Sequence, residues 1–178
     1  MADYTADDLS FVDAASPATA APVPPSAVPV AAPKPAPGAA PAPAWLASVM
    51  VMIVDDQRTV RKIVRKMLEE AGIAWIAEAS GGQGALDLLN APHAPKPDII
   101  ITDLMMEGVD GLGLLQAVRL SKDHEIKQIP MIVLTASDDA MIRDIASDLG
   151  SACVLGKPSS RDEIIAAVAD TTGAKRLA

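Results

Sequence analysis

VMVMIVDDQRTVRKIVRKMLEEAG, residues 49–72, decides the fold class. Its first six residues are continuously apolar, as expected of a strand buried on both faces. Then Val60, Ile63, Val64, Met67 and Leu68 recur at i, i+3, i+4, i+7 and i+8. That spacing makes one apolar helical stripe, and Gly72 ends it. Asp55 and Asp56 stand at the junction between the two. A buried strand running straight into an amphipathic helix is one β-α unit, and its repetition along the chain implies a parallel sheet.

The rest of the chain repeats the pattern. Residues 73–78 (IAWIAE) read as a second strand. Ser80 with Gln83 reads as a capping box opening a helix to about Asn90. Pro92, Pro95 and Pro97 punctuate a loop that contains His93. Strands are predicted over 99–102, 131–134 and 152–155, and helices over 111–121 and 139–148. His124 falls between elements. Ser160 with Glu163 caps a last helix carrying Ile164, Ile165 and Val168 on one face. Five β-α units predict a parallel sheet with helices on both faces: a flavodoxin-like, doubly wound α/β fold of order 2-1-3-4-5.

Residues 14–46 read differently. Ten of the 15 prolines lie between Pro17 and Pro43, and Lys34 is the lone charge from 14 to 46. Without apolar periodicity, and with backbone donors removed by each Pro, this stretch predicts a disordered, polyproline-II-like spacer. Its prolines also exclude a membrane span. Residues 1–13 (MADYTADDLSFVD) carry four Asp and no basic residue, which excludes a signal peptide. They read as a solvated end or as a short docking motif on a leash. Residues 47–173 form the folded domain in this reading, and 174–178 its C-terminal end. Net charge is −8, which argues against nonspecific nucleic-acid or anionic-membrane binding. A lone Cys153 excludes an internal disulfide and a cysteine metal cluster, and suits a cytoplasmic protein.

In this fold a site belongs at the carboxyl ends of the strands. Asp55 and Asp56 follow strand one, Asp103 follows strand three, Thr135 ends strand four, and Lys157 follows strand five. Clustered carboxylates repel unless a cation sits among them, and hard oxygen ligands on an open site suit Mg²⁺. A lysine and a hydroxyl opposite them suit an anion. Together the parts surround a phosphoryl group in transfer, with Asp103 the natural nucleophile for an aspartyl-phosphate.

On these residues the segment 49–171 resembles a response-regulator receiver domain, similar to the single-domain chemotaxis type. Asp55-Asp56, Asp103 in DLMMEGVDG, Thr135-Ala136 and Lys157-Pro158 carry the resemblance. It implies that Asp103 is the phosphoacceptor and that Asp55, Asp56, Asp103 and the Met105 backbone carbonyl hold Mg²⁺. Thr135 and Lys157 would contact phosphoryl oxygens, and the Lys157-Pro158 bond would be cis. The implied donor is a sensor histidine kinase or a histidine phosphotransfer protein. The output is switched binding of a downstream protein target, because no recognisable output domain follows residue 173. A phosphate sink or relay intermediate, and an unphosphorylated pseudo-receiver used only for binding, remain as alternatives. A substrate-turning phosphatase is excluded by the missing D-x-D and cap domain.

Other roles compete for some of these residues. Asp55-Asp56 are also suited to capping the first helix. Asp98 lies at the wrong end of its strand to be the acceptor, and Asp110 before Gly111 reads as a turn or helix cap. Cys153 and Trp75 read as packing residues. Arg58, Arg61, Lys62, Arg65 and Lys66 make a basic outer face, either solvated or a dock for an acidic partner. Two departures from the family stand out. Glu107 replaces the usual proline after Met106, and Val154 occupies the place of a switching aromatic.

Overall fold

In the computed structural model, residues 44–136 and 140–177 are described. The readings for residues 1–13 and for most of the spacer therefore lie outside the described residues. The strands are β1 (Met50–Val54), β2 (Trp75–Ala79), β3 (Ile99–Asp103), β4 (Met131–Thr135) and β5 (Cys153–Gly156). The helices are α1 (Arg58–Glu70), α2 (Gly82–Asn90), α3 (Gly111–Arg119), α4 (His124–Lys127), α5 (Ala140–Asp148) and α6 (Arg161–Leu177). All strand pairs are parallel, in the expected order β2-β1-β3-β4-β5.

The pleat explains the apolar runs. Val51 and Ile53 of β1, Ile99 and Ile101 of β3, and Ile132 and Leu134 of β4 face one core. That core is closed by Val64 and Leu68 of α1 and by Ile164 and Val168 of α6. Met52 and Val54, Ile100 and Met131 face the other, under Ala85 and Leu89 of α2 and Leu114, Leu115 and Val118 of α3. Successive side chains alternate between faces, so a strand covered twice must be apolar throughout.

The structure corrects several local expectations. Folded residues extend past 47–173 at both ends. A 3-10 turn, Ala44–Ser48, places Leu46 in the α1/α6 core, and α6 runs to Leu177. Trp45 packs against that core and lies beside Gly173. Burial of these two apolar side chains outweighs the Ala/Pro context around them. No capping box opens α2. Its N-cap is Gly81, Gln83 bonds Asp87 instead, and the Gly82 amide donates to the Val109 carbonyl. His124 lies in the short helix α4, which Asp123 caps through its carboxylate. Trp75 is 46 % exposed, on an edge strand with no strand beyond it among the described residues. Cys153 is half-buried, and burial pushes its thiol pKa up. The Ser160–Glu163 box does form, with the Ser160 amide donating to Glu163 at 2.7 Å.

Gly111 fixes the path of the chain after β3. Its amide donates to the Leu104 carbonyl. A Cβ there would strike the Asp103 carbonyl and lie 2.9 Å from the Leu104 Cα. Backbone cannot swing aside as a side-chain tip can. Gly111→Ala should therefore cost about 1–3 kcal/mol of stability, read as a lower urea midpoint at unchanged slope.

Candidate functional site

Sheet register builds the site. Val54 of β1 pairs with Thr102 of β3. Continuing by one residue sets Asp55 beside Asp103, in the same phase of the pleat as Ile53 and Ile101. Thr135 pairs with Gly156, so the next residue of β5's chain, Lys157, emerges beside them. The Lys157 amide donates to the Thr135 carbonyl at 2.6 Å. Lys157-Pro158 is cis.

The side chains converge. One carboxylate oxygen from each of Asp55, Asp56 and Asp103 lies within 4.8 Å of the others. Asp55 and Asp103 are buried, while Asp56 is exposed. The Lys157 Nζ lies 2.9 Å from Asp55 Oδ2 and 2.9 Å from Asp103 Oδ1. Burial disfavours the lysine's charge, but Asp103 and Asp55 outweigh it and hold its pKa above the usual value. Thr135 is buried at the end of β4. Met105 is 68 % exposed, whereas Met106 turns into the α2/α3 core.

The competing acids stand elsewhere. Asp98 accepts from the Met50 amide at 2.8 Å, at the opposite end of the sheet. Asp110 is the N-cap of α3 and accepts from the Gly113 amide at 2.7 Å. Asp55 also does some local bracing, accepting from the Gln57 amide at 2.8 Å.

Sequence reasoning missed one layer of support. Arg61 and Arg65 belong to the face read as outward and basic, yet both fold back onto Glu78 of β2. Arg61 lies 3.2 Å from Glu78 and also donates to the backbone carbonyls of Asp55 (2.7 Å) and Asp56 (3.4 Å). It thus props the acidic pair from behind. The signal was present: Glu78 is an isolated acid within a strand, and the register pairs it with Ile53.

Burial would raise the Glu78 pKa, but the Arg65 hydrogen bond and the charges of Arg65 and Arg61 hold it below the usual 4.5. A depressed carboxylate adds stability that is present above its unfolded pKa and lost as pH falls through the folded one. Glu78→Gln should flatten the loss of stability below pH 4.5, measured by urea midpoints across the acid range.

An aspartyl cluster at the carboxyl edge of a five-stranded parallel sheet, with a lysine between two of its members, is an acidic pocket of the class that receiver domains carry. The chain belongs to the response regulator receiver domain family, whose model matches residues 51–169. It is 35 % identical over 128 residues to a probable chemotaxis protein CheY of Rhizobium etli, covering 71 % of this chain and 95 % of that one. It is 36 % identical over 118 residues to a probable transcriptional regulator, ycf27, of Guillardia theta, covering 66 % of this chain. There it spans only 43 % of the relative's length. Among solved structures, the Francisella response regulator 1452 receiver domain superposes with a TM-score of 0.63 at 30 % identity, over 71 % of this chain and 98 % of that chain. Among the described residues, no helix is long and apolar enough to cross a membrane.

The donor set fits a divalent cation. Two buried carboxylates and one exposed one, with oxygens within 4.8 Å, are hard ligands left partly open to solvent. That suits Mg²⁺, which keeps several waters and favours carboxylate and phosphate oxygens.

Proposed function

We infer that this chain is a response regulator that accepts a phosphoryl group on Asp103 from a phosphohistidine and thereby switches a protein contact. The observation that carries this is the Lys157 ammonium held 2.9 Å from both Asp55 and Asp103 at the rim of the sheet. Asp55, Asp56, Asp103 and the Met105 carbonyl would hold Mg²⁺. When bound, that ion supplies charge neutralisation for the phosphoryl oxygens. Asp103 attacks phosphorus, and the phosphorus–nitrogen bond to the donor imidazole breaks as the oxygen–phosphorus bond forms. Lys157 transfers its pairing to a phosphoryl oxygen, and the Thr135 hydroxyl donates to another. The added charge shifts an existing equilibrium of the β4–β5 face. That face includes α5, where Met141 and Ile145 are 68 % and 41 % exposed and suit an apolar protein target.

Residues 47–173, with the turn from Ala44 and the helix end to Leu177 that extend it, act as the receiver, the Ala/Pro-rich stretch before Ala44 as a spacer and 1–13 as an acidic interaction segment. The histidine kinase or phosphotransfer protein docks across α1, and the setting is cytoplasmic. The test is incubation with Mg²⁺ and a small phosphodonor followed by intact mass. One added phosphoryl group is expected, and none would overturn the assignment.

Met105 sets the lifetime of the product. Its exposed thioether side chain cannot orient water as an amide can. A single such hydrogen bond is worth about 0.5–1.5 kcal/mol. Met105→Asn should shorten the phosphoryl half-life roughly two- to tenfold. A half-life left unchanged or lengthened, followed by loss of the added mass, would show otherwise.

A further inference from the structure

The apolar stripe of α1 is incompletely covered. Val60, Ile63 and Met67 of α1 line a groove of about 450 Å³ with Pro158, Ile164 and the stem of Lys157. Ile63 is 50 % exposed. Arg58 and Lys62 on the same helix are exposed and form no ion pair among the described residues. The groove is therefore apolar along its floor, with cations on the helix that forms one wall.

We propose that residues 1–13 of this same chain occupy that groove. The segment has the complementary chemistry: Leu9, Phe11 and Val12 form an apolar cluster, with Tyr4 nearby, among Asp3, Asp7, Asp8 and Asp13. It holds two of the chain's four aromatic residues and no cation. The geometry of the leash agrees. The chain enters the fold through Trp45 and Leu46, which pack on the α1/α6 core, the layer that carries the groove. From Gly173, beside Trp45, back to Arg161 along α6 is about 18 Å at ~1.5 Å per residue. Residues 14–43 span up to about 90 Å when extended, so reach is ample. A tether of this kind gives an effective concentration near the millimolar range. A segment with a Kd of about 0.1 mM would then fill roughly nine-tenths of the grooves. Bound there, it covers the α1 face on which the phosphodonor is proposed to dock. That regulatory consequence, though not the docking itself, rests on the function proposed above.

The experiment uses the full chain with labelled Met and Ile methyl groups, read by NMR without phosphodonor. Leu9→Ser/Phe11→Ser should shift the methyl signals of Ile63, Met67 and Ile164 and leave those of Met141 and Ile145 in place. The shifts should not depend on protein concentration. Lys62→Glu should move the same signals part of the way by weakening charge attraction. Identical spectra for the wild type and the double variant would overturn the proposal. Shifts that vanish on dilution would overturn it too, by assigning the groove to a second copy. Because no phosphoryl group is involved, the outcome is separable from the fate of the phosphoacceptor assignment.

Discussion

Asp103→Asn is expected to abolish phosphoryl uptake, leaving no added mass after treatment with Mg²⁺ and a small phosphodonor. An amide is nearly isosteric with the carboxylate, but its nitrogen and oxygen are poor nucleophiles at neutral pH. The fold should survive the change. Asp103 sits within 4.8 Å of two other carboxylates, so neutralising it removes repulsion as well as one partner of Lys157. Asp98→Asn and Asp110→Asn serve as controls and should label normally. Asp98 ties the start of β3 to the Met50 amide, and Asp110 caps α3, so neither carboxylate faces the cluster. Labelling of Asp103→Asn at the wild-type rate would remove Asp103 from the acceptor role.

Replacing Lys157 should produce the second large effect, on stability and chemistry together. Its ammonium is the cation shared by Asp55 and Asp103, whose side chains are 2 % and 6 % exposed. Breaking a buried pair by deleting one partner costs about 3–5 kcal/mol. The lysine side chain is itself 20 % exposed, so water recovers part of this, and Lys157→Met should cost roughly 2–3 kcal/mol. The loss should show as a lower urea midpoint in metal-free buffer. Adding Mg²⁺ should stabilise the variant more than the wild type, since a divalent cation replaces the missing charge. The wild-type lysine has a raised pKa, so its contribution is complete below the unfolded value of about 10.5 and is lost only as pH climbs above it. At neutral pH the deficit should thus be flat. Phosphoryl uptake should fall sharply because the developing charge loses its counter-ion. An unchanged midpoint would mean that the Asp55–Lys157–Asp103 contacts carry no net energy.

Val154 and Glu107 bear on the output. Val154 lies on β5 and pairs with Val133 of β4, where no ring exists to change rotamer. A shift of this face therefore either uses a lever other than a ring at 154 or is weak. Glu107 brings a further negative charge to the loop after β3, two residues beyond Met105.

Much of the architecture was readable from residue order. Strands covered on both faces leave continuous apolar runs, and amphipathic helices leave a 3.6-residue period, so alternation of the two prescribes a doubly wound sheet. The acids, the threonine and the lysine were readable for the same reason. Each is a polar residue at the end of an apolar strand, where the fold rule places a site. Local pattern failed where a long-range contact outbid it. The Ser80–Gln83 box gave way to the Gly82 amide bonding Val109, 27 residues along the chain. Leu46 left a proline-rich context for the core, and Trp75 stands half-exposed on an edge strand.

By itself, the sequence determined the parallel order of the sheet and the identity of the groups gathered at its edge. Periodicity and position along each strand are one-dimensional properties. Only the tertiary structure decided that Lys157 bridges Asp55 and Asp103, that Arg61 turns inward to Glu78 instead of outward, and that α1 lines an apolar groove with Pro158 and Ile164. These depend on which cation, among many, reaches which acid across a separation of up to 102 residues. Distance in space settles that pairing, and distance along the chain does not encode it.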